Sequence, residues 1–196
     1  CLDLREVSIA DYGACVGKGC VPPSPTVDWP GATDDEKKKW APFCNAGRAD
    51  RQTHPINCVT ASQAAAYCKA QGKRLPTEAE WQWAAQGERD ARLYPWGTSA
   101  PEGHACWSGV NDRLGGGGGT CPVGASPGGE TAQGVLDLSG NVWEWTVTPW
   151  AAGTAEFVIR GGGWADDDAS LLRTGHRDHR SPLSRSATIG FRCAFP

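Results

Sequence analysis

The stretch Arg160-Gly-Gly-Gly-Trp164 begins a segment that runs to Thr188-Ile-Gly-Phe-Arg-Cys193. Arginine, glycine and aromatic residues recur through residues 160–193, and short runs of Asp, His, Ser and Thr separate them. Glycine permits tight turns and large aromatic side chains anchor a core, so these residues set the path of the backbone. The segment therefore predicts a rigid frame that presents a polar surface, and ligand binding is the first hypothesis.

The composition indicates a single loop-rich domain. The chain has 196 residues, which include 26 Gly, 14 Pro and 10 Trp, and only 21% of its residues are charged. This length is typical of one domain, so we expect a single domain over residues 1–196. Tryptophan side chains each bury about 150–250 Å² and are expected to anchor its core.

Charge argues against a nucleic-acid partner, and hydropathy argues against a membrane-spanning helix. The net charge is −3 and the basic residues form no stripe, so we expect no nucleic-acid partner. No apolar run approaches the ~18 residues of a membrane-spanning helix, so we predict no membrane span. The sequence leaves the oligomeric state open.

Nine cysteines indicate disulfide bonds rather than a zinc site. Zinc sites usually contain two cysteines separated by two residues (Cys-x2-Cys), or cysteine pairs beside histidines, and neither pattern occurs here. Disulfides persist in oxidising compartments. We therefore expect an exported protein that is secreted, periplasmic or held at the cell surface.

Two capping boxes predict two helices. Thr60-Ala-Ser-Gln63 and Thr77-Glu-Ala-Glu80 each place a hydroxyl and a carbonyl-bearing side chain where they satisfy backbone amides of a first helical turn. The first helix is predicted to end at Gly72 and the second at Gly87, because glycine is typical of helix C-termini.

Short strands and long loops complete the prediction. Residues 1–9 are predicted as a strand that leads into a short helix near residues 9–16, and residues 17–57 as irregular. The glycine run 115–119 lacks the Gly-Lys-Ser/Thr ending of a phosphate-binding loop and is predicted to be an ordinary loop. Further strands are predicted at residues 141–146, 157–160 and 190–194. These elements indicate an α+β domain with a small twisted antiparallel sheet.

Five segments occur in an order that is similar to a known family. They are Ala66-Tyr-Cys-Lys-Ala-Gln-Gly-Lys-Arg-Leu-Pro-Thr-Glu-Ala-Glu-Trp81, Tyr94-Pro-Trp-Gly97, Asp137-Leu-Ser-Gly-Asn-Val-Trp-Glu-Trp145, Arg160-Gly-Gly-Gly-Trp164 and Gly190-Phe-Arg-Cys193. Together they resemble the formylglycine-generating-enzyme, or sulfatase-modifying factor, family. The resemblance implies a variant of the C-type lectin fold, with two helices, a small sheet and long loops. The family's usual N-terminal strand with its Met-Gly motif is absent, so the domain is expected to lack that strand.

The resemblance also bears on catalysis. Enzymes of this family oxidise a substrate cysteine with two cysteines that hold copper(I), a metal that soft thiolates suit. Those positions correspond to Asp166 and Leu171, and no cysteine lies between Cys121 and Cys193. We therefore expect no copper and predict that the family's oxidase activity is lost.

The last segment has a second resemblance. Its spacing from Arg173 to Arg192 is similar to the frame of variable proteins of diversity-generating retroelements, which share the lectin-type fold, although the interval before Arg173 is one residue longer. The resemblance implies that the polar residues between the frame positions contact a protein or glycan ligand. The predicted ligand-binding residues are Trp164, Asp166, Asp167, Asp168, Ser170, His176, Asp178, His179, Arg180, Ser184, Ser186 and Thr188.

Two of these predictions keep an alternative. Trp164 is either a recognition anchor or a core residue. The acids 166–168, together with His176, Asp178 and His179, form either an exposed polar face or a centre for a divalent ion such as Zn²⁺.

The family resemblance implies a structural calcium site as well. By this resemblance Asp137 and Glu144 supply side-chain oxygens, and Gly140 and Val142 supply backbone carbonyls. Hard oxygen ligands from a bent loop suit Ca²⁺. The alternative is an ordinary turn with exposed acids.

The same resemblance implies a disulfide between Cys68 and Cys193. The remaining cysteines that lie near one another suggest three more pairs, although sequence alone fixes no connectivity. These pairs are Cys15–Cys20, Cys44–Cys58 and Cys106–Cys121, and they leave Cys1 unpaired.

We therefore predict an exported binding domain that presents the loops of residues 164–188 to a protein or glycan ligand. One alternative is an enzyme of the family, either a formylglycine-generating-type oxidase or one with another metal chemistry. A second alternative is a structural subunit of an extracellular assembly.

Overall fold

The computed structural model describes residues 1–87, 91–109 and 118–196. In this part of the chain the α-helices are α1 (Ile9–Cys15), α2 (Asp34–Trp40), α3 (Ala61–Ala70) and α4 (Glu78–Gln86). The strands are β1 (Trp143–Pro149), β2 (Phe157–Arg160), β3 (Arg177–Arg180) and β4 (Ile189–Gly190). Residues 115–117 of the predicted glycine loop lie outside the described residues.

The two predicted capping boxes begin α3 and α4. The Thr60 hydroxyl accepts from the backbone amide of Gln63, and Thr77 does the same for Glu80. Helix α2 was not predicted, because residues 17–57 were expected to be irregular. It begins at a third capping box, in which Thr33 accepts from the amide of Glu36 and the Glu36 carboxylate accepts from the amide of Thr33.

The four strands form one sheet in the order β3-β2-β1-β4. The β1–β2 and β2–β3 pairs are antiparallel as expected, whereas β4 lies parallel to β1, with Trp143 opposite Ile189. The N-terminal residues form only isolated bridges, such as Leu2 with Ala194, in place of the predicted strand. The result is a small mixed sheet at the centre of an α+β fold.

The largest hydrophobic cluster lies between this sheet and helices α1 and α3. Trp145, Phe191 and Tyr12 are its largest fully buried side chains, and each is at least 99% buried. The stacked rings of Tyr12 and Tyr67 bring α1 against α3 at a centroid distance of 5.4 Å. This core fixes the sheet from which the long C-terminal loops emerge.

Four disulfides hold the loops, and all four pairs are those predicted: Cys15–Cys20, Cys44–Cys58, Cys68–Cys193 and Cys106–Cys121. The Cys68–Cys193 bond spans 125 residues of sequence and ties α3 to the end of the chain. On the chain-entropy view such a cross-link stabilises by about 5 kcal/mol. Among the described residues Cys1 is a free, exposed thiol. No described helix combines the length and apolar character that crossing a membrane requires.

Candidate functional site

A groove of about 440 Å³ lies over the loop between β3 and β4. Four of its six lining residues belong to the predicted ligand-binding set, and two tryptophans from a distant part of the chain complete it. The lining residues are Trp29, Trp40, Arg180, Ser184, Ser186 and Thr188. The volume falls within the range of small-ligand sites.

The two tryptophans form the walls of the groove, and backbone contacts fix their position. Asp28, next to Trp29, forms an antiparallel bridge with Arg185: the Asp28 amide donates to the Arg185 carbonyl at 2.9 Å, and the Arg185 amide donates back at 2.6 Å. Trp40 is the last residue of α2, and its ring lies 6.0 Å from that of Phe43. Both tryptophans were missed by the sequence reasoning.

Trp164 lies behind the groove rather than in it. It is 5% exposed, and its indole nitrogen donates to the Ala187 carbonyl at 3.1 Å. Its ring lies 6.0 Å from that of Trp40 and 4.9 Å from that of Phe43. Of the two interpretations of Trp164, this position is that of a core residue that supports the wall.

Hydroxyl groups and one guanidinium form the floor. Ser186 Oγ and Thr188 Oγ1 are hydrogen-bonded at 2.9 Å. Ser184 is 1% exposed, lines the groove, and its hydroxyl makes no hydrogen bond to any described residue. Arg180 Nη1 donates to Asp178 Oδ2 at 2.9 Å, which holds the guanidinium at one end.

Asp166 and Leu171, which the sequence resemblance aligns with the family's copper-binding cysteines, face inwards. Asp166 Oδ2 accepts from Trp143 Nε1 at 2.9 Å and from the Gly163 amide at 2.8 Å. Burial raises the pKa of the Asp166 carboxyl. Leu171 is partly buried and packs against two hydrophobic clusters. Both residues therefore stabilise the loop, and neither side chain is a soft ligand for a metal ion.

The neighbouring predicted residues lie on the same loop but outside the groove. Asp168 accepts from the backbone amide of Ser170 at 2.8 Å, and this bond lowers the pKa of Asp168. Asp167 is exposed. The ring of His176 lies against that of Trp143, with centroids 5.7 Å apart.

The alternative of a divalent metal centre gains no support from the geometry. His179 Nδ1 lies 2.8 Å from Glu156 Oε2, an ion-pair distance, although the ring is not oriented for a hydrogen bond. Asp178 is engaged with Arg180. Among the described residues no group of three or more His, Cys, Asp or Glu side chains is placed to hold a metal ion.

At the predicted calcium loop, the Glu144 carboxylate is already paired with the guanidinium of Arg192. Its carboxylate is fully buried and accepts from Arg192 Nε at 3.0 and 2.8 Å, from Arg192 Nη2 at 2.7 Å, and from Trp81 Nε1 at 2.9 Å. These four contacts use the four lone-pair positions of a carboxylate. In this arrangement Glu144 does not fit a calcium ion, and calcium stays a prediction that requires Arg192 to move.

Two more acids share this buried site. Asp137 Oδ2 accepts from the Gly124 amide at 2.5 Å, and Glu6 accepts from the amide of Val142 at 3.1 Å. Burial, followed by the charges of Asp137 and Glu144, raises the pKa of Glu6 well above its usual value. Three carboxyl groups thus surround the single guanidinium of Arg192, whose position the sequence reasoning did not anticipate.

Comparisons with known proteins agree with this fold. The family described as "Sulfatase-modifying factor enzyme 1-like domain" matches residues 1–195. "Inactive C-alpha-formylglycine-generating enzyme 2" of Bos taurus is 38% identical over 159 residues, which cover 76% of this chain and 52% of that protein. "Formylglycine-generating enzyme" of Thermomonospora curvata is 38% identical over 175 residues, which cover 74% of this chain and 56% of that protein. The chain spans about half the length of these curated relatives.

Solved structures show the same architecture. PvdO from Pseudomonas aeruginosa aligns with a TM-score of 0.75 at 24% identity, covering 98% of this chain and 78% of that one. Treponema denticola variable protein 1 aligns with a TM-score of 0.70 at 21% identity, covering 98% and 82%. At these identities the likeness concerns the fold alone. The match over residues 1–195 and the 38% identical relatives establish that the chain belongs to the sulfatase-modifying factor enzyme 1-like domain family.

Proposed function

We propose that this chain is an exported, non-oxidising member of its family that binds a protein or glycan ligand in the groove between Trp29 and Trp40. One observation carries the proposal: four residues predicted from the resemblance of the C-terminal segment line one groove together with these tryptophans. They are Arg180, Ser184, Ser186 and Thr188. Aromatic and arginine side chains dominate many binding sites, and hydroxyl groups give them direction.

The loss of oxidase activity is supported at the two positions where the family holds copper(I). A carboxylate and an aliphatic side chain stand there, and Asp166 is committed to Trp143 and Gly163. All cysteines except Cys1 are in disulfides, so the described residues offer no free thiol pair. The similarity to a relative named inactive agrees with this assignment.

Export is supported by the four disulfides, since such bonds persist in oxidising compartments. Thiol titration of the denatured, unreduced protein tests this part. We expect one reactive thiol per chain when the protein is produced in an oxidising compartment. A count of several thiols in folded protein that binds its ligand would contradict the assignment.

Binding is tested with peptide and glycan arrays, followed by calorimetry on the ligands found. The test variant combines Trp29→Ala with Ser186→Ala, because both side chains line the groove. The matched control is Trp83→Ala, which removes a 59% exposed tryptophan on α4. We expect the double variant to lose at least about tenfold in affinity and the control to bind as the wild type does.

Ligands that bind all three proteins equally would show that the groove is not the binding site. Circular dichroism and thermal unfolding of each variant separate this result from misfolding.

A further inference from the structure

We infer that the groove takes a carboxylated saccharide, a conclusion that rests on the proposed function and names its ligand class. Three features of the groove argue for it separately: the indole walls, the hydroxyl groups of the floor, and the free edge of the Arg180 guanidinium.

The walls suit a sugar ring. Trp29 and Trp40 are half-buried, and neither indole nitrogen makes a hydrogen bond to any described residue. An indole face accepts the apolar C–H face of a pyranose, while its N–H donates to a hydroxyl oxygen. Trp164 and Phe43 support Trp40 from behind, so this wall is held rigid before the ligand arrives.

The floor supplies directional hydrogen bonds. Ser184 is 99% buried, yet its hydroxyl lacks a partner within the described residues and lines the groove. A ligand group that pairs with this hydroxyl gains a directional hydrogen bond. The Ser186–Thr188 hydroxyl pair adds acceptors beside it. A ligand rich in hydroxyl groups satisfies these positions better than an apolar side chain does.

Arg180 selects the acidic substituent. Its Nη1 is bonded to Asp178 Oδ2 at 2.9 Å and to the His179 carbonyl at 2.6 Å. Within the described residues no partner engages Nε or Nη2, which form the edge of the guanidinium that binds a carboxylate with two parallel hydrogen bonds. An arginine held at one side and open at the other is prepared for such a group.

The charges at the rim permit an anion to approach. Asp28 lies beside the groove, but Lys37 pairs with it at 3.0 Å and Arg185 lies 3.6 Å from it. Asp178 is likewise paired with Arg180. Both of these carboxylates are therefore compensated and do not repel a charged sugar.

The test uses two probes that differ only at the C6 group: methyl β-D-glucuronide, with a carboxylate, and methyl β-D-glucoside, with a hydroxymethyl group. Binding is followed by the indole N–H signals of ¹⁵N-labelled protein, assigned with Trp29→Phe and Trp40→Phe. We expect the glucuronide to shift both signals and to bind about tenfold more tightly than the glucoside.

Arg180→Lys keeps the positive charge but removes the two-donor edge, and Arg180→Gln removes both. We expect the preference for the glucuronide to fall in the first variant and to vanish in the second. The matched control is Arg173→Gln, an exposed arginine outside the groove, which should retain the preference.

Equal binding of the two probes, no binding of either, or a preference that survives Arg180→Gln would overturn the inference. An array that yields a peptide ligand dependent on Trp29 would overturn it while leaving the proposed function intact. If no array ligand depends on the groove, the proposed function itself fails.

Discussion

Replacing Arg192 with methionine should cost far more stability than any surface ion pair is worth. Both Arg192 and Glu144 are completely buried, and Arg192 supplies three of the four contacts to that carboxylate. The variant leaves Glu144 with only the Trp81 indole, next to the acids Glu6 and Asp137. Breaking one side of a buried ion pair typically costs about 3–5 kcal/mol. At about 2–4 °C per kcal/mol for a chain of this size, we expect the melting temperature to fall by about 6–20 °C.

The assay is reversible urea unfolding with the disulfides intact, supported by thermal scans. Arg74→Met is the matched control, because Arg74 pairs with Glu80 at the surface with side chains 41% and 40% exposed. Exposed pairs contribute about 0–1 kcal/mol, so the control should lose no more than that. If Arg192→Met loses as little as Arg74→Met, the buried site does not hold the fold as described.

Three further predictions concern the same core. Burial raises the folded-state pKa of Glu6, so its contribution to stability is complete below the usual glutamate pKa and is lost as the pH rises through the folded value. Glu6→Gln should therefore flatten the decline of unfolding free energy at pH values above the usual glutamate pKa; an unchanged slope would refute this assignment. Replacing both Cys68 and Cys193 with serine should cost about 2–5 kcal/mol in denaturant titrations, because their bond closes the longest loop of the four. Calcium should raise the melting temperature of Arg192→Met more than that of the wild type, since the variant frees Glu144; an equal response contradicts this.

Short sequence patterns were sufficient to predict the helices whose first turn contains a capping box and whose buried face is apolar. The capping boxes at Thr60 and Thr77 were visible because four adjacent residues determine them, and both helices begin there. Helix α2 begins with the same kind of box at Thr33 but buries none of its residues, so it lacks the apolar periodicity that identifies a helix. The parallel pairing of β4 with β1 depends on a crossover that no short pattern encodes.

The candidate site likewise contains some residues that the sequence predicted and others that it did not. Arg180, Ser184 and Ser186 were predicted because they lie between the frame positions of the short segment that resembles the variable proteins, and all three line the groove. Trp29 and Trp40 come from a region roughly 150 residues away, and only tertiary packing brings them there. Asp166 was expected at the surface but turns inwards, because the Trp143 indole and the Gly163 amide both donate to it. Solvent exposure of a short polar side chain depends on such partners, which the sequence does not reveal.

The floor and the walls of the groove lie on separate stretches of chain joined at the Asp28–Arg185 bridge. A designer seeking a new specificity can therefore exchange residues 28–40, which carry the two tryptophans, while keeping the C-terminal loop, or diversify the loop while keeping residues 28–40. Each half then becomes an independent library, and the bridge is the junction at which selected halves are recombined.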